Sequence, residues 1–364
     1  MLAVAGLLLI GCSSVSEPGS TAVLLWRGAD VSALERIEQA GGTFRSGGQP
    51  GDAIAILRAK GVNLFRLRLF VRPNYQDVQV NDLAYTIRLA QRIRAAGGAL
   101  LLDLHYSDTW ADPGHQTTPA AWQGIGIDSL VTVVETYTAA AVDSLRESAM
   151  LPRMVQIGNE VDHGMLWPIG QVTGTGGDTL AQWDRFTRLL KAAAEGVRDA
   201  LRPGDSVAIV IHYSRGADAG ATRWFFDHIE AAGVPYDVIG LSYYPWWHGT
   251  YGALSSNLNA AAARYHRPVM VVETSYPWRA GGWEGMVVDT SAMQWPATPL
   301  GQDRFLRTLI GAVASVPGNA GAGVVWWYPE AIAVPGLSVW GGGSLALFDS
   351  TTDILPAAGQ FAGP

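Results

Sequence analysis

The sequence predicts an α/β protein that folds as a single (β/α)8 TIM barrel. Three observations support this prediction: eight short apolar segments recur along the chain, polar loops and amphipathic segments separate them, and no Pro/Gly/Ser-rich linker divides the interior. Parallel strands require helical crossovers, and eight strand–helix units spaced by roughly forty residues are what a closed barrel of this type needs. An active-site groove is expected at the carboxyl ends of the strands.

Eight runs of β-branched, aromatic and other apolar residues are predicted to be the barrel strands. In chain order they are 23–30, 62–70, 99–108, 154–160, 206–214, 238–246, 268–276 and 322–330. Their starts are apolar, whereas polar and aromatic residues gather at their ends, which in this fold form the functional face. These end residues are Arg66, Arg68, His105, Asp108, Asn159, Glu160, His212, Tyr243, Glu273, Trp326 and Trp327.

Segments between the strands have the apolar periodicity of amphipathic helices. In Asp178–Ala200, apolar residues recur every three to four positions and form one stripe. Asp82–Ala96 and Gln302–Val316 have the same pattern, and a glycine pair or a Pro-Gly pair follows each of them as a stop signal. All three segments are predicted to be helices that pack on the barrel.

Composition and charge restrict the class of partner. The chain has 364 residues, of which 48% are hydrophobic and 16% charged, so it can bury a large core and is too apolar for disorder. Its formal net charge of -7 and pI near 5.5 argue against a nucleic-acid or anionic-membrane surface, which would need clustered Lys and Arg. A neutral or weakly charged partner is expected, and the protein is expected to be a monomer.

The first twenty residues form a separate segment ahead of the barrel domain, which is predicted to span 21–364. MLAVAGLLLIGCSS is an apolar run of signal-peptide length, too short to span a bilayer as a helix. Leu9-Ile10-Gly11-Cys12 resembles the bacterial lipobox, whose cysteine carries lipid, and Cys12 is the only cysteine in the chain. Residues 1–20 are therefore predicted to be a signal, lipobox and tether, with a plain secretory segment or a cloning remnant as the alternative.

A lipidated Cys12 would place the protein at the bacterial cell surface or in the periplasm. The lipid anchor would then be its only contact with a membrane. Without lipidation, the N-terminal segment predicts a secreted protein.

Two glutamates end apolar strands and are candidates for paired carboxylates. Glu160 ends the fourth strand in VQIGNEVDHGMLWP, and Glu273 ends the seventh in PVMVVETSY. In retaining glycoside hydrolysis, one carboxylic acid protonates the leaving oxygen and a second carboxylate, about 5 Å away, attacks the anomeric carbon. Strands four and seven face each other across a barrel, so the carboxyls are expected at the retaining separation. The alternative is two unrelated glutamates that cap a helix or form salt bridges.

Tryptophans are concentrated at the same face of the predicted barrel. Trp183 and Trp224 are expected on helices. Because sugar rings have apolar C–H faces, flat aromatic side chains in an open groove suit a carbohydrate, although any single tryptophan can equally pack in the core. Eleven of the fourteen lie at a strand end or in the loop after it, namely Trp110, Trp122, Trp167, Trp246, Trp247, Trp278, Trp283, Trp295, Trp326, Trp327 and Trp340.

Other chemistries fit the sequence poorly. His105, Asp108, Asp112 and His115 in HYSDTWADPGH could ligate a metal, yet no H-x-H or HExxH spacing is present and the neighbouring strand carries arginines. GTGTGGD at 173–179 follows a loop rather than a strand, which indicates a flexible connection. The sequence has no GxSxG elbow, P-loop or dinucleotide-binding glycine motif. No metal is predicted.

Six longer stretches resemble one family of carbohydrate-active enzymes, glycoside hydrolase family 53, the arabinogalactan endo-β-1,4-galactanases. They are RGADVSALE, GVNLFRLRLFVRP, LLDLHYSDTWADPGHQTTPAAW, VQIGNEVDHGMLWP, LSYYPWW and VVETSYPW. The resemblance covers all but the N-terminal segment and the extreme C-terminus, and the Asp-x-Trp-Ala-Asp-Pro-Gly stretch is long and specific. It implies a retaining (β/α)8 enzyme.

The resemblance also implies roles for individual residues. Glu160 would be the general acid/base and Glu273 the nucleophile, and Asn159 would hold the 2-hydroxyl of the sugar. Arg66 would keep Glu273 ionised. Further positions around the substrate are implied for His105, for Tyr243 as a partner of the nucleophile, and for Trp327 as the platform beneath the sugar. Apart from the resemblance, Trp247 is predicted to bind substrate, and Trp167, at the end of VQIGNEVDHGMLWP, is predicted to be a groove wall.

The sequence departs from the family's pattern in two places. Several bacterial members carry an Asp-Gly-Asp-Gly-His run after strand seven that helps to bind a structural calcium, whereas this chain reads YPWRAGGWEGMVVDTS, with only Glu284 and Asp289 as hard ligands. No cofactor is therefore predicted, with a structural calcium as the alternative. The eighth strand reads WWYPEAI where the family more often has Tyr-Trp-Glu-Pro, so Glu330 is displaced and is assigned no role.

The function that follows is endo-hydrolysis of β-1,4-galactan, the neutral side chain of pectic arabinogalactan, with retention at the anomeric carbon. An open tryptophan groove suits an internal stretch of polymer. Another endo-β-1,4-glycanase of the same clan, such as a mannanase or glucanase, is the nearest alternative, because loop side chains read the orientation of the 4-hydroxyl. A surface lipoprotein that binds polysaccharide without cleaving it is a further alternative, and it would require the loss of one carboxylate.

Overall fold

A computed structural model describes residues 25–172, 179–281 and 290–363. Eight parallel strands pair in chain order and close into a barrel, which confirms the predicted fold class. Each strand pairs with the next along the chain, and the last pairs with the first. The strands are β1 (Trp26–Asp30), β2 (Leu64–Leu69), β3 (Ala99–Leu104), β4 (Met154–Ile157), β5 (Ala208–Tyr213), β6 (Val238–Tyr243), β7 (Val269–Thr274) and β8 (Gly321–Trp327).

Helices surround the barrel, and the three predicted from periodicity are present within three residues of the expected bounds. The predicted helices at 82–96, 178–200 and 302–316 correspond to α3, α5 and α9. The described helices are α1 (Leu34–Gln39), α2 (Ala53–Ala59), α3 (Leu83–Ala95), α4 (Ile127–Glu147), α5 (Leu180–Asp199), α6 (Ala219–Ala231), α7 (Pro245–His248), α8 (Tyr251–Tyr265) and α9 (Pro299–Ala314).

Side-chain caps explain where several of these helices begin. The Asp82 carboxylate accepts a hydrogen bond from the N–H of Tyr85 at the start of α3. Thr179 and Gln182 form a reciprocal capping box at the start of α5. Such caps satisfy backbone donors that have no partner within the helix, and each stabilises a helix by about 1 kcal/mol.

Seven of the eight strands end earlier than their apolar patterns suggested, whereas β1 ends at Asp30 as predicted. β3 ends at Leu104 rather than at 108, β4 at Ile157 rather than at 160, and β6 at Tyr243 rather than at 246. The backbone leaves the extended conformation beyond each end, because Tyr106 and Glu160 have positive φ angles of 49° and 44° and Pro245 begins α7. The residues just past the strands therefore project from turns above the barrel.

Alternation along the strands sorts the side chains into an outer and an inner set. On β6, Ile239, Leu241 and Tyr243 pack outward in the core beneath the helices, whereas Val238 faces the barrel interior. The interior has an apolar lower layer, made of Leu64, Leu101, Met154, Val210, Val238, Met270, Val272, Ala322 and Val325. Nearer the carboxyl ends of the strands the inward residues are polar, namely Asp30, Arg66, Asp103, Gln156, His212 and Ser242. The apolar layer closes the barrel and the polar layer is the floor of the site.

β7 contains one extra residue relative to β6. Leu241 pairs with Val271, but the next residue, Ser242, pairs with Glu273, so Val272 has no partner of its own on β6. The register against β8 shifts over the same residues. Strict alternation would turn Glu273 outward toward the helices, because Val271 faces outward and Val272 inward. The bulge re-aims Glu273 toward the interior face, a use of bulges that is common beside active sites.

Several sequence-based expectations concern residues outside the described ranges. These include the N-terminal segment 1–20 with Cys12, most of the glycine-rich stretch at 173–179, and the candidate calcium ligands Glu284 and Asp289. Within the part of the chain that is described, none of the helices has both the length and the apolar character needed to cross a membrane.

Candidate active site

The carboxyl ends of the strands surround a cavity of about 690 Å³. Both candidate carboxylates, Glu160 and Glu273, line it. The cavity also contains Arg66, Arg68, His105, Trp110, Asp112, Asn159, Tyr244, Trp247, Trp327 and Trp340. The sequence therefore placed the site at the correct end of the barrel, and the structure brings most of its predicted members together.

Glu273 is held by two donors. The Tyr244 hydroxyl donates to Oε1 at 2.7 Å, and Nη1 of Arg66 lies 3.3 Å from Oε2. Arg66 is itself fixed, because it forms salt bridges of 2.9 Å with Asp30 and with Asp103. A buried guanidinium that meets three carboxylates stabilises their charged forms and leaves its own orientation little freedom.

Glu160 lies in a turn whose backbone is held from several sides. Its own φ angle is 44°. Gly158, two residues earlier, has a φ of 100°, which requires glycine at that position. The Gln116 side-chain amide donates to the carbonyls of Asn159 and Glu160, at 2.8 and 3.2 Å. The Ser242 hydroxyl donates to Oε1 of Glu160 at 2.6 Å. The carboxyl group is therefore oriented before any substrate binds.

The two carboxyls differ in how readily they give up a proton. Burial, with the nearby charges of Glu273 and Asp162, raises the pKa of Glu160 well above its usual range. Burial also raises the pKa of Glu273, to about 7, while the Arg66 charge and the Tyr244 hydrogen bond act in the opposite direction. Glu160 therefore keeps its proton more firmly than Glu273, which is the division of roles that a proton donor and a nucleophile require.

Asn159 and His105 lie beside the two glutamates. Asn159 accepts a hydrogen bond from Nη2 of Arg66 at 2.7 Å and donates from Nδ2 to the carbonyl of Ala111. His105 accepts from the N–H of Ala111 at Nδ1, so its Nε2 carries the hydrogen that faces Asp103, 3.0 Å away. Burial opposes ionisation of Asp103, yet Arg66 and His105 hold its pKa below the usual range.

The expectation that Tyr243 would be the partner of the nucleophile is wrong. Tyr243 follows the inward Ser242 on β6, so it points outward, and its hydroxyl donates to the carbonyl of Gly249. The next residue, Tyr244, lies past the strand end and reaches Glu273 instead. The sequence LSYYPW offered two adjacent tyrosines, and only the point where the strand ends decides between them.

The tryptophan prediction is confirmed for part of the group. Trp110, Trp247, Trp327 and Trp340 line the cavity, and Trp247 is 51% exposed. Trp122, Trp246 and Trp326 are buried instead and pack in the core or beneath the groove, and Trp283 lies outside the described residues. Trp183 and Trp224 lie on helices, as expected.

Trp167 does not form a wall of this cavity. Its indole donates to the carbonyl of His163, and its own carbonyl accepts a hydrogen bond from Thr118. The contribution of Trp167 is to hold the loops after β3 and β4 together, since its N–H also donates to the carbonyl of Gln116.

The residues considered as metal ligands stabilise the loops instead. Asp108 accepts backbone hydrogen bonds from Arg72 and Ala120, and Asp112 pairs with His115 at the rim. Among the described residues, no group of three or more His, Cys, Asp or Glu side chains could hold a metal ion.

Glu330, which was given no role, is fully buried, accepts a hydrogen bond from the N–H of Ala33, and has its pKa raised by burial to about 8.

Sequence reasoning missed several residues of the polar floor. Asp30, Asp103, Gln156 and Ser242 are all fully buried, and each contacts Arg66 or one of the glutamates. Their signal was available as polar residues in otherwise apolar strands, an even number of positions after an inward apolar residue. Whether such a residue points into the barrel or toward the helices can be assigned only when the strand register is known.

Comparisons with known proteins agree with this geometry. The family model "Glycosyl hydrolase family 53" matches residues 26–361. The "Arabinogalactan endo-beta-1,4-galactanase" of Cellvibrio japonicus is 33% identical over 98% of this chain and 95% of that protein. A "Probable arabinogalactan endo-beta-1,4-galactanase A" of Aspergillus terreus is 39% identical over 86% of this chain and 87% of that protein.

Solved structures give the same result. The "Ignisphaera aggregans GH53 catalytic domain" superimposes with a TM-score of 0.83 at 33% identity, covering 94% of this chain and 97% of that one. A chain from a study of "two fungal beta-1,4-galactanases" superimposes with a TM-score of 0.80 at 32% identity, covering 93% and 99%. With the paired glutamates in one aromatic-lined groove, these matches show that the chain belongs to glycosyl hydrolase family 53.

Proposed function

We propose that this protein is a retaining endo-β-1,4-galactanase that cleaves internal bonds of type I (arabino)galactan by double displacement. The observation that carries the proposal is that two buried carboxyls, Glu160 and Glu273, line one cavity and are held by different partners. Two carboxyls with separate tasks are the equipment that retaining glycosidases use.

Glu273 is the proposed nucleophile. Arg66 stabilises its anionic form, and the Tyr244 hydroxyl fixes Oε1, which leaves Oε2 between Arg66 and the substrate. Attack of the carboxylate on the anomeric carbon forms a glycosyl ester and breaks the bond to the leaving oxygen. The inward turn of Glu273 at the β7 bulge gives the carboxylate access to the groove.

Glu160 is the proposed general acid/base. Its raised pKa keeps the proton on the carboxyl group until the leaving oxygen takes it. The deprotonated Glu160 then removes a proton from the water that hydrolyses the glycosyl ester, which returns both residues to their starting states. Asn159, fixed by Arg66, retains an Nδ2 hydrogen that can bind the sugar's 2-hydroxyl.

The aromatic groove supports a polymeric, neutral substrate. Trp340 is in ring contact with both Trp327 and Trp247 in the wall of the cavity, at centroid separations of 4.5 and 5.8 Å. Rings of this kind stack on the apolar faces of sugars. Galactan is proposed as the polymer because the curated relatives reported above carry galactanase names.

Anchoring through Cys12 is part of the same proposal. The Leu9-Ile10-Gly11-Cys12 motif supports lipidation and a position at the bacterial cell surface or in the periplasm, where a monomeric enzyme would trim polymer before uptake. Full-length protein from bacterial membranes should partition into detergent, and Cys12→Ser should move it to the aqueous phase. An aqueous wild-type protein would contradict the anchor, and gel filtration of the released enzyme tests the monomer.

A polysaccharide panel tests the substrate. We expect cleavage of β-1,4-galactan into short oligomers, with much slower cleavage of mannan, xylan and mixed-linkage glucan. NMR of the first product should show the β-anomer before mutarotation. Faster cleavage of another polymer would overturn the galactan assignment, and initial release of the α-anomer would overturn the retaining mechanism.

A further inference from the structure

Ser242 and His212 connect the backbone of Glu160 to its own carboxyl group. The N–H of Glu160 donates to Nδ1 of His212 at 3.3 Å, and Nε2 of His212 lies 2.8 Å from the Ser242 hydroxyl. That hydroxyl donates to Oε1 of Glu160 at 2.6 Å. Both His212 and Ser242 are fully buried. The three contacts form a closed ring that begins and ends at Glu160.

His212 is neutral in this ring. Burial, with the positive charge of Arg66, lowers its pKa well below the usual range, while Asp103 acts in the opposite direction. A neutral imidazole has one nitrogen that donates and one that accepts, so the ring depends on which nitrogen carries the hydrogen.

The neighbours of Nδ1 settle the tautomer. Nδ1 faces two donors, the backbone N–H of Glu160 and Nε2 of Gln156 at 3.1 Å. It also lies 3.0 Å from Oδ1 of Asn159, but that oxygen is already faced by two donors, Nη2 of Arg66 at 2.7 Å and Nε2 of Gln156 at 3.2 Å. A hydrogen on Nδ1 would take away the acceptor of the buried Glu160 N–H, which is costly. Nδ1 therefore accepts, and Nε2 carries the hydrogen that it donates to Ser242.

We infer that Ser242 and His212 are positioning residues that determine which oxygen of Glu160 delivers the proton. The Ser242 hydroxyl receives the Nε2 hydrogen of His212, so its own hydrogen is directed at Oε1 of Glu160. In the described part of the chain no hydrogen bond reaches Oε2. The acid proton of Glu160 is therefore carried on Oε2, in an orientation fixed before substrate binds. This inference rests on the proposed role of Glu160 as the acid/base.

The surroundings of Glu160 set the direction of the expected pH effect. It is faced by Glu273 from β7, by Asp162 from its own loop and by Asp112 from the loop after β3, all of which raise its pKa. The Ser242 hydrogen bond is the contact that lowers it. Loss of the hydroxyl should therefore raise the pKa of Glu160 further and move the alkaline limb of the kcat/KM profile to higher pH.

The variant Ser242→Ala in the full-length enzyme tests the inference on two substrates. On galactan, whose leaving group needs a proton, kcat/KM should fall by about tenfold, because part of the general-acid contribution is lost. On a dinitrophenyl galactobioside, whose leaving group needs none, it should fall by less than about twofold. Ser242→Thr keeps the hydroxyl and should restore both the galactan rate and the position of the alkaline limb.

Thr187→Val is the matched control, since it removes a buried hydroxyl that bonds only helix carbonyls of α5. Its rates and pH profile should equal those of the wild type. Equal losses for Ser242→Ala on both substrates with an unmoved alkaline limb would show a merely structural role and overturn the inference. If the alanine variant does not fold, Ser242→Cys, a weaker donor of similar size, should show the same shift with smaller amplitude, and an unmoved limb there would overturn it.

Glu160→Gln separates this inference from the proposed function. If that variant cleaves galactan as fast as the wild type, Glu160 is not the acid and the proposed function fails. If it is inactive on galactan while Ser242→Ala is indistinguishable from the wild type, the inference about Ser242 fails alone.

Discussion

The hydroxyl of Tyr244 donates a 2.7 Å hydrogen bond to Oε1 of Glu273 from the turn that follows β6. The adjacent Tyr243 points to the other side of the strand and donates to the carbonyl of Gly249. Two tyrosines that are neighbours in sequence therefore have unrelated tasks, which makes them a matched pair for testing the nucleophile.

Tyr244→Phe should lower kcat on all substrates by about tenfold, because the attacking carboxylate loses a donor that orients it. The same hydrogen bond lowers the pKa of Glu273, which burial has raised to about 7. Its removal raises that pKa further. Since the nucleophile must be deprotonated, the acid limb of the kcat/KM profile should move to higher pH. Rates measured across the acid limb, with Tyr243→Phe as the control that keeps the wild-type limb, check this.

The two glutamates should respond differently to replacement by glutamine. Glu273→Gln should abolish turnover of every substrate, because no glycosyl ester can form. Glu160→Gln should lose about 10²- to 10⁴-fold on galactan but retain much of kcat/KM on a dinitrophenyl galactobioside. Azide should rescue turnover of the Glu160 variant and give a β-galactobiosyl azide. Similar behaviour of both variants on the activated substrate would mean that the roles are assigned wrongly.

Arg66→Lys should damage both stability and catalysis. The guanidinium forms salt bridges with Asp30 and Asp103 and lies 3.3 Å from Glu273, and a lysine ammonium cannot reproduce this fork geometry. The free energy of unfolding should fall by about 3 kcal/mol, since buried carboxylates are left without their partner. Urea denaturation measures this. Arg264→Lys, in the exposed pair with Asp227, should leave the urea midpoint unchanged.

Trp247→Ala should weaken binding of long chains. The side chain is 51% exposed in the wall of the groove, so its loss removes stacking area for the sugar chain. KM for galactan should rise about threefold to tenfold while kcat stays near the wild-type value. Trp224→Ala, on the outer surface of α6, should leave both constants unchanged. A fall in kcat without a change in KM would contradict a binding role for Trp247.

Local patterns were enough to place much of the site. Glu160 and Glu273 end apolar strands, and barrel strands in chain order bring such ends to one face, so their shared cavity was predictable. The aromatic groove followed from the same rule for Trp110, Trp247, Trp327 and Trp340. The rule failed for Trp326 and Trp246, which are buried, because a position near a strand end does not say whether a side chain faces the groove or the helices.

The sequence by itself determined the number and order of the strands, the face that carries the chemistry and the two carboxyls that we propose perform it. These follow from periodicity and from the residue types at the strand ends, which are local properties of the chain. The tertiary structure alone decided that Tyr244 rather than Tyr243 meets Glu273, that the bulge at Val272 turns Glu273 inward, and that His212 and Ser242 support Glu160. Each of these depends on the register between neighbouring strands, and a shift of one residue reverses the direction of every side chain that follows.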